Sequence, residues 1–193
     1  MNLKDIKIFG TIGALLILIG IINSGIGFFV AIIGFILVLK AMKKFSEKTK
    51  EKEIYNNFLY FIIILIVAFV ISGLVFAVTF IVSDGMSLIT ELQSKTSDPV
   101  AVWKLIEPII ANIFIALATL WVFLIISVLF LKKSFDRICE LTNVKWFGTA
   151  GLLFLIGTAT IIIGIGFLIL LIGLVIGIIA FFSLPESLTD KKV

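Results

Sequence analysis

Histidine is absent from the 193-residue sequence, and cysteine occurs once, at position 139. Without histidine there is no Ser-His-Asp triad and no imidazole to hold a metal. A single thiol forms neither an intrachain disulfide nor a cysteine-type zinc site. No glycine-rich phosphate loop closing on Lys-Ser or Lys-Thr occurs either. An enzyme is therefore the least supported class, and no catalytic residue, cofactor or metal is expected. Charge is also scarce: 15% of residues are Asp, Glu, Lys or Arg, against about 25% in soluble domains. What replaces it is apolar. Hydrophobic residues make up 61% of the chain, with 19 Phe and 15 Gly. A soluble globule of this length cannot hide that much apolar surface, and a disordered chain would not carry it. The expected partner is the lipid bilayer.

Four stretches carry no ionisable side chain other than tyrosine: residues 8–39, 54–83, 108–131 and 146–185. As helix, at about 1.5 Å per residue, they provide roughly 190 Å, enough for about six crossings of a hydrocarbon core about 30 Å thick. They are apolar on every face rather than alternating, so helices are expected and a barrel is not. The two middle ranges, 54–83 and 108–131, each read as one crossing. The outer two are too long for one crossing. The first breaks at Asn23-Ser24-Gly25 and the last near Gly164-Ile165-Gly166, where turn-forming residues interrupt the run. Each is read as a hairpin that crosses fully, with a re-entrant hairpin as the alternative because the segments are short. The expected fold is thus all-α: one polytopic membrane domain, 1–193, of six membrane segments. Its parts are a first hairpin (8–39), a third span (54–83), an outer loop (84–107), a fourth span (108–131), a cytoplasmic loop (132–145) and a second hairpin (146–185).

The two ends of the chain resemble each other. Lys7-Ile8-Phe9-Gly10-Thr11-Ile12-Gly13 parallels Lys145-Trp146-Phe147-Gly148-Thr149-Ala150-Gly151, and Gly25-Ile26-Gly27-Phe28 parallels Gly164-Ile165-Gly166-Phe167. With two spans between the copies, both hairpins start from the same side, so the internal repeat is parallel rather than inverted. Charge gives the orientation. Six segments place 14 of the 16 basic residues on one side, the exceptions being Lys95 and Lys104. By the positive-inside rule that side is the cytoplasm, which puts both termini there in a cell-membrane protein. The net charge of +4 follows from this topology. Lysines interleaved with glutamates do not make a nucleic-acid surface, so no nucleic-acid partner is expected. The first apolar run lacks small residues at the spacing of a signal-peptidase site and reads as a mature helix.

Within the spans, Gly10, Gly13 and Gly20 near the start and Gly166, Gly173 and Gly177 near the end lie at helical spacing. Small residues let helices approach closely. They serve either packing within the chain, between the two hairpins, or a seam with a second copy or another membrane protein. Ser72 and Thr79 on the third span and Asn112, Thr119 and Ser127 on the fourth form two polar stripes. Facing each other, they make a candidate polar path; hydrogen bonding across helices or to their own backbone is the alternative. No Asp, Glu, Lys, Arg or His lies deep in a span, which argues against a pump or an ion-coupled carrier but not against a passive pore. Pro108 suits the first turn of a helix, with Glu107 beside it favoured by the helix dipole. Met86, Ile89 and Leu92 read as a short interfacial helix in the outer loop. Phe135, Ile138 and Leu141 read as a second short helix in the cytoplasmic loop.

The Lys-x-Phe-Gly-Thr-x-Gly ends, the Gly-Ile-Gly-Phe helices and the closing Ala180-Phe181-Phe182-Ser183-Leu184-Pro185 resemble an uncharacterised family of archaeal and bacterial multi-pass membrane proteins, classed as a domain of unknown function. The resemblance spans nearly the whole chain. It implies an integral membrane location and a prokaryotic, archaeal source, and it carries over no activity or site residues. Two functional readings follow from the residues themselves: a structural, scaffolding or assembly-assisting membrane component, and, as the alternative, a passive channel or small-solute transporter.

Overall fold

In lipid, every backbone N–H and C=O must find its partner inside the protein. The described residues answer with helices joined by short turns. The computed structural model describes residues 3–23, 25–82, 87 and 99–185. Among them are six helices: α1 (Leu3–Ile22), α2 (Gly27–Thr49), α3 (Lys52–Val82), α4 (Pro99–Thr142), α5 (Lys145–Ala159) and α6 (Gly166–Phe182). A short 3-10 turn, Ile161–Ile163, joins α5 to α6. Three segments are long and apolar enough to cross a membrane: Leu3–Ile22, Lys52–Val82 and Ile106–Thr142. The breaks in the outer stretches fall where the turn residues stand, between Ile22 and Gly27 and between Ala159 and Gly166.

Two features differ from the sequence reading. The helix that carries the fourth span does not begin at Pro108. It starts at Pro99, and Pro108 lies inside it. Nor does the helix stop at Leu131: residues 132–142, read as a loop holding a separate short helix, continue α4 to Thr142. Phe135 and Ile138 do bury one face, as their spacing implied. The charges flanking them did not end the helix because Lys, Arg and Glu are good helix formers. The proposed interfacial helix at Met86, Ile89 and Leu92 lies outside the described residues.

The chain divides into two compact units, one formed by Met1–Ile62 with Ile125–Val193 and the other by Ile63–Leu124. In the first, α1 packs antiparallel on α2, α5 on α6, and α1 also meets α6. Its core is aliphatic and aromatic, with Met42, Phe45, Ile54, Phe58, Ile138 and Phe147 all but inaccessible. Tight turns join α2 to α3 and α4 to α5. Each contains one residue in the left-handed region, Lys50 (φ 60°) and Asn143 (φ 57°). The Ser46 hydroxyl donates to the Glu51 carbonyl across the first of them (2.8 Å). Charged side chains gather at these ends. Arg137 reaches Glu51 and Glu140, each at 2.8 Å, and Lys132 pairs with Asp136. Lys7 and Lys44 lie 4.7 Å from the ring centres of Phe182 and Phe9. At the other ends of α1 and α5, Ile22 and Ile163 are each 74% exposed.

The second unit inverts the usual arrangement of a soluble protein. Phe69, Leu74, Val78, Phe114 and Leu117 face outward, whereas the buried residues are Ala68, Ser72, Asn112 and Ala116. An exposed apolar surface this continuous belongs against lipid, with small and polar residues turned to the helix contact.

Candidate functional site

The polar stripes meet at the α3–α4 contacts. Within Ile63–Leu124, the Ser72 hydroxyl donates to the Ala116 carbonyl (2.7 Å). The Asn112 side-chain amide donates to the Thr79 carbonyl (3.2 Å). Two threonines behave differently: Thr79 and Thr119 turn their hydroxyls back onto their own helices, to Val75 (2.8 Å) and Ile115 (2.9 Å). In the other unit, Ser127 donates to the Phe61 carbonyl and Ser134 to the Ile54 carbonyl, both at 2.8 Å. A helical carbonyl has a second lone pair free for such a bond. Each is worth about 0.6 kcal/mol on average, and each fixes the register of one helix on the other. Ser134 was not singled out from the sequence. It stands seven residues after Ser127, two turns along the same face, and was missed because the helix was ended before it.

The glycines form seams chiefly inside each hairpin. A Cβ built on Gly13 would lie 2.7 Å from the Gly34 carbonyl oxygen, and one on Gly20 would lie 2.7 Å from the Ala31 Cβ. Gly166 meets the Gly157 backbone, and a Cβ on Gly173 would lie 3.2 Å from the Leu153 Cβ. Gly10 reaches between hairpins, making room for the Phe181 ring. Gly177 is buried, yet a Cβ there would meet nothing within 4 Å.

That open space is part of a half-open chamber of about 190 Å³ within the first unit, to which all six helices contribute. Its wall is wholly apolar and includes Phe35, Phe58, Phe61, Phe135, Phe154 and Phe181. Phe181 is edge-on to Phe147 (5.1 Å between centroids) and to Phe135 (6.4 Å), and Phe135 also meets Phe147 and Phe154. Cys139 is half-buried against this core. No cluster of three or more metal-ligating His, Cys, Asp or Glu side chains occurs among the described residues.

Residues 30–175 match the family described as a protein of unknown function (DUF996). The chain is 27% identical to Uncharacterized protein MJ1644 of Methanocaldococcus jannaschii, over 192 residues that cover 100% of this chain and 98% of that relative. No solved structure matches.

Proposed function

The chain belongs to the DUF996 family, and from that premise we propose that it is a structural or assembly-assisting component of the membrane rather than a conduit through it. The observation that carries this is the direction of the polar groups. Ser72 and Asn112 spend their donors on backbone carbonyls of the facing helix, and Thr79 and Thr119 spend theirs on their own. A polar path needs such groups turned toward a shared lumen; these are used to lock helices together. The glycine seams act in the same sense, drawing paired helices to close contact. No catalytic chemistry is assigned. The partner is the bilayer, with a second membrane protein or a second copy bound on the lipid-facing surface.

The finer architecture belongs to the same reading: six membrane segments, a duplicated hairpin at each end, and both termini in the cytoplasm of a cell-membrane protein. Burial supports the duplication. One constant offset, the one that carries Gly27 onto Gly166, also carries Gly34, Val38, Ala41, Met42 and Phe45 onto Gly173, Gly177, Ala180, Phe181 and Leu184, and every one of these positions is buried. Shared low-complexity composition would match residue types without matching the buried face. The gathering of Lys7, Lys44, Arg137 and Glu51 at one end of the first unit fits an approach of both hairpins from the side rich in positive charge.

Flux through reconstituted vesicles tests the function. Ion and small-solute permeability is expected to equal that of protein-free vesicles, for the native chain and for Asn112→Leu alike. Conduction by the native chain that disappears in Asn112→Leu or Thr119→Leu would instead establish the passive channel.

A further inference from the structure

We propose that the half-open chamber of the first unit is a binding site for one hydrocarbon chain of a surrounding membrane lipid. The volume is sufficient. An apolar cavity of about 150 Å³ accepts benzene, so about 190 Å³ takes a chain end on the order of six to eight carbons by the same measure. The chemistry is selective. The wall offers no polar atom, and a water molecule needs two to four polar partners to enter such a space. The same lack excludes a sugar, a peptide or an ion. Six phenylalanine rings and the aliphatic side chains of Ile17, Val38 and Leu131 present only dispersion contacts, which suit a saturated chain.

Gly177 shows the same open space from the helix backbone. Every other glycine of the two seams is explained by a backbone or side chain that approaches it; Gly177 has no such neighbour. Glycine inside a helix is a stability cost relative to alanine, and close helix packing does not account for it here. Its counterpart in the first hairpin is Val38, whose side chain lines the same chamber. The second copy thus has no side chain where the first copy has one. The chamber is not sealed, and the medium around a membrane-embedded helix bundle is lipid tails, present at far higher concentration than any other apolar molecule. The inference rests on the membrane placement above but not on the packing role.

Photolabelling of the full chain in vesicles tests it. The probe is a phosphatidylcholine with a diazirine near the end of one acyl chain, and labelled residues are mapped by mass spectrometry. Labels are expected on chamber residues such as Phe154 and Phe181, as well as on the outward Ile33 and Leu168. Gly177→Leu, which fills the chamber, should cut chamber labelling about tenfold, as steric exclusion of a ligand does, and leave the outward labels unchanged. Gly177→Ala, which adds one methyl into open space and so folds, should reduce chamber labelling by a smaller factor. Chamber labelling that is absent in the native chain, or unchanged in both variants, overturns the proposal. So does chamber labelling by a free diazirine fatty acid but not by the phospholipid. The outward labels report separately that the chain is in the bilayer, so failure of the site and failure of the membrane placement give different patterns.

Discussion

Valine in place of Gly13 is expected to destabilise the first hairpin by about 3 kcal/mol or more, at or above the upper end for overpacked cores. The reason is what the new atoms would strike. A Cβ at position 13 falls 2.7 Å from the Gly34 carbonyl oxygen and 2.9 Å from the Val38 nitrogen. Both are backbone atoms of α2, so no side chain can rotate away. The helices would have to part, and the reciprocal contact at Gly34 would open with them. Between helices in lipid, association depends on close packing rather than on expulsion of water, so a gap of this kind is not offset elsewhere. Thermal unfolding in detergent, read with the monodisperse fraction on size exclusion, measures the effect. Gly73→Ala is the matched control. That glycine is exposed with nothing within 4 Å, and alanine there should leave the melting temperature unchanged or raise it.

Truncating Phe181 is expected to cost about 3–5 kcal/mol, the range for a buried phenylalanine reduced to alanine. Its ring is 3% exposed, meets Phe147 and Phe135 edge-on, and fits the notch left by Gly10. It therefore joins α6 to α1, α4 and α5 at one point. Phe182, the next residue, is 64% exposed and contributes a cation–π contact with Lys7. Phe182→Ala should cost no more than about 1 kcal/mol. The two substitutions delete the same atoms one position apart, so the ratio of their effects reads the helix orientation directly. Equal effects, or a reversed order, would show that α6 faces the other way.

How much of this was legible beforehand follows physical lines. The membrane character was open to view because no arrangement of so apolar a chain hides its surface from water. The hairpin breaks were legible because Asn, Ser and Gly stand out in an apolar run. The length of α4 was not. Lys132, Lys133, Asp136 and Arg137 look like the end of a span, but charge ends the apolar slab without ending the helix, and Phe135 and Ile138 carry the buried face onward. The polar stripes were legible as residues and not as bonds. Ser72 and Thr79 sit two turns apart on α3, yet one hydroxyl bonds across and the other bonds back, a choice set by which carbonyl lies within reach. The same holds for Gly173 and Gly177. They form a single small-xxx-small motif, but one lies against Leu153 and the other faces open space. Spacing places residues on a face; only packing decides what that face meets.

The central claim is that both terminal hairpins rise from one side of the membrane, the side where the charged helix ends gather. Single cysteines placed in a Cys139→Ser background at Lys52, Lys145 and Ser94, probed with an impermeant maleimide, test it most directly. The account predicts that in intact cells Ser94→Cys is labelled, while Lys52→Cys and Lys145→Cys react only after the membrane is permeabilised. Labelling of Lys52→Cys or Lys145→Cys in intact cells would contradict it.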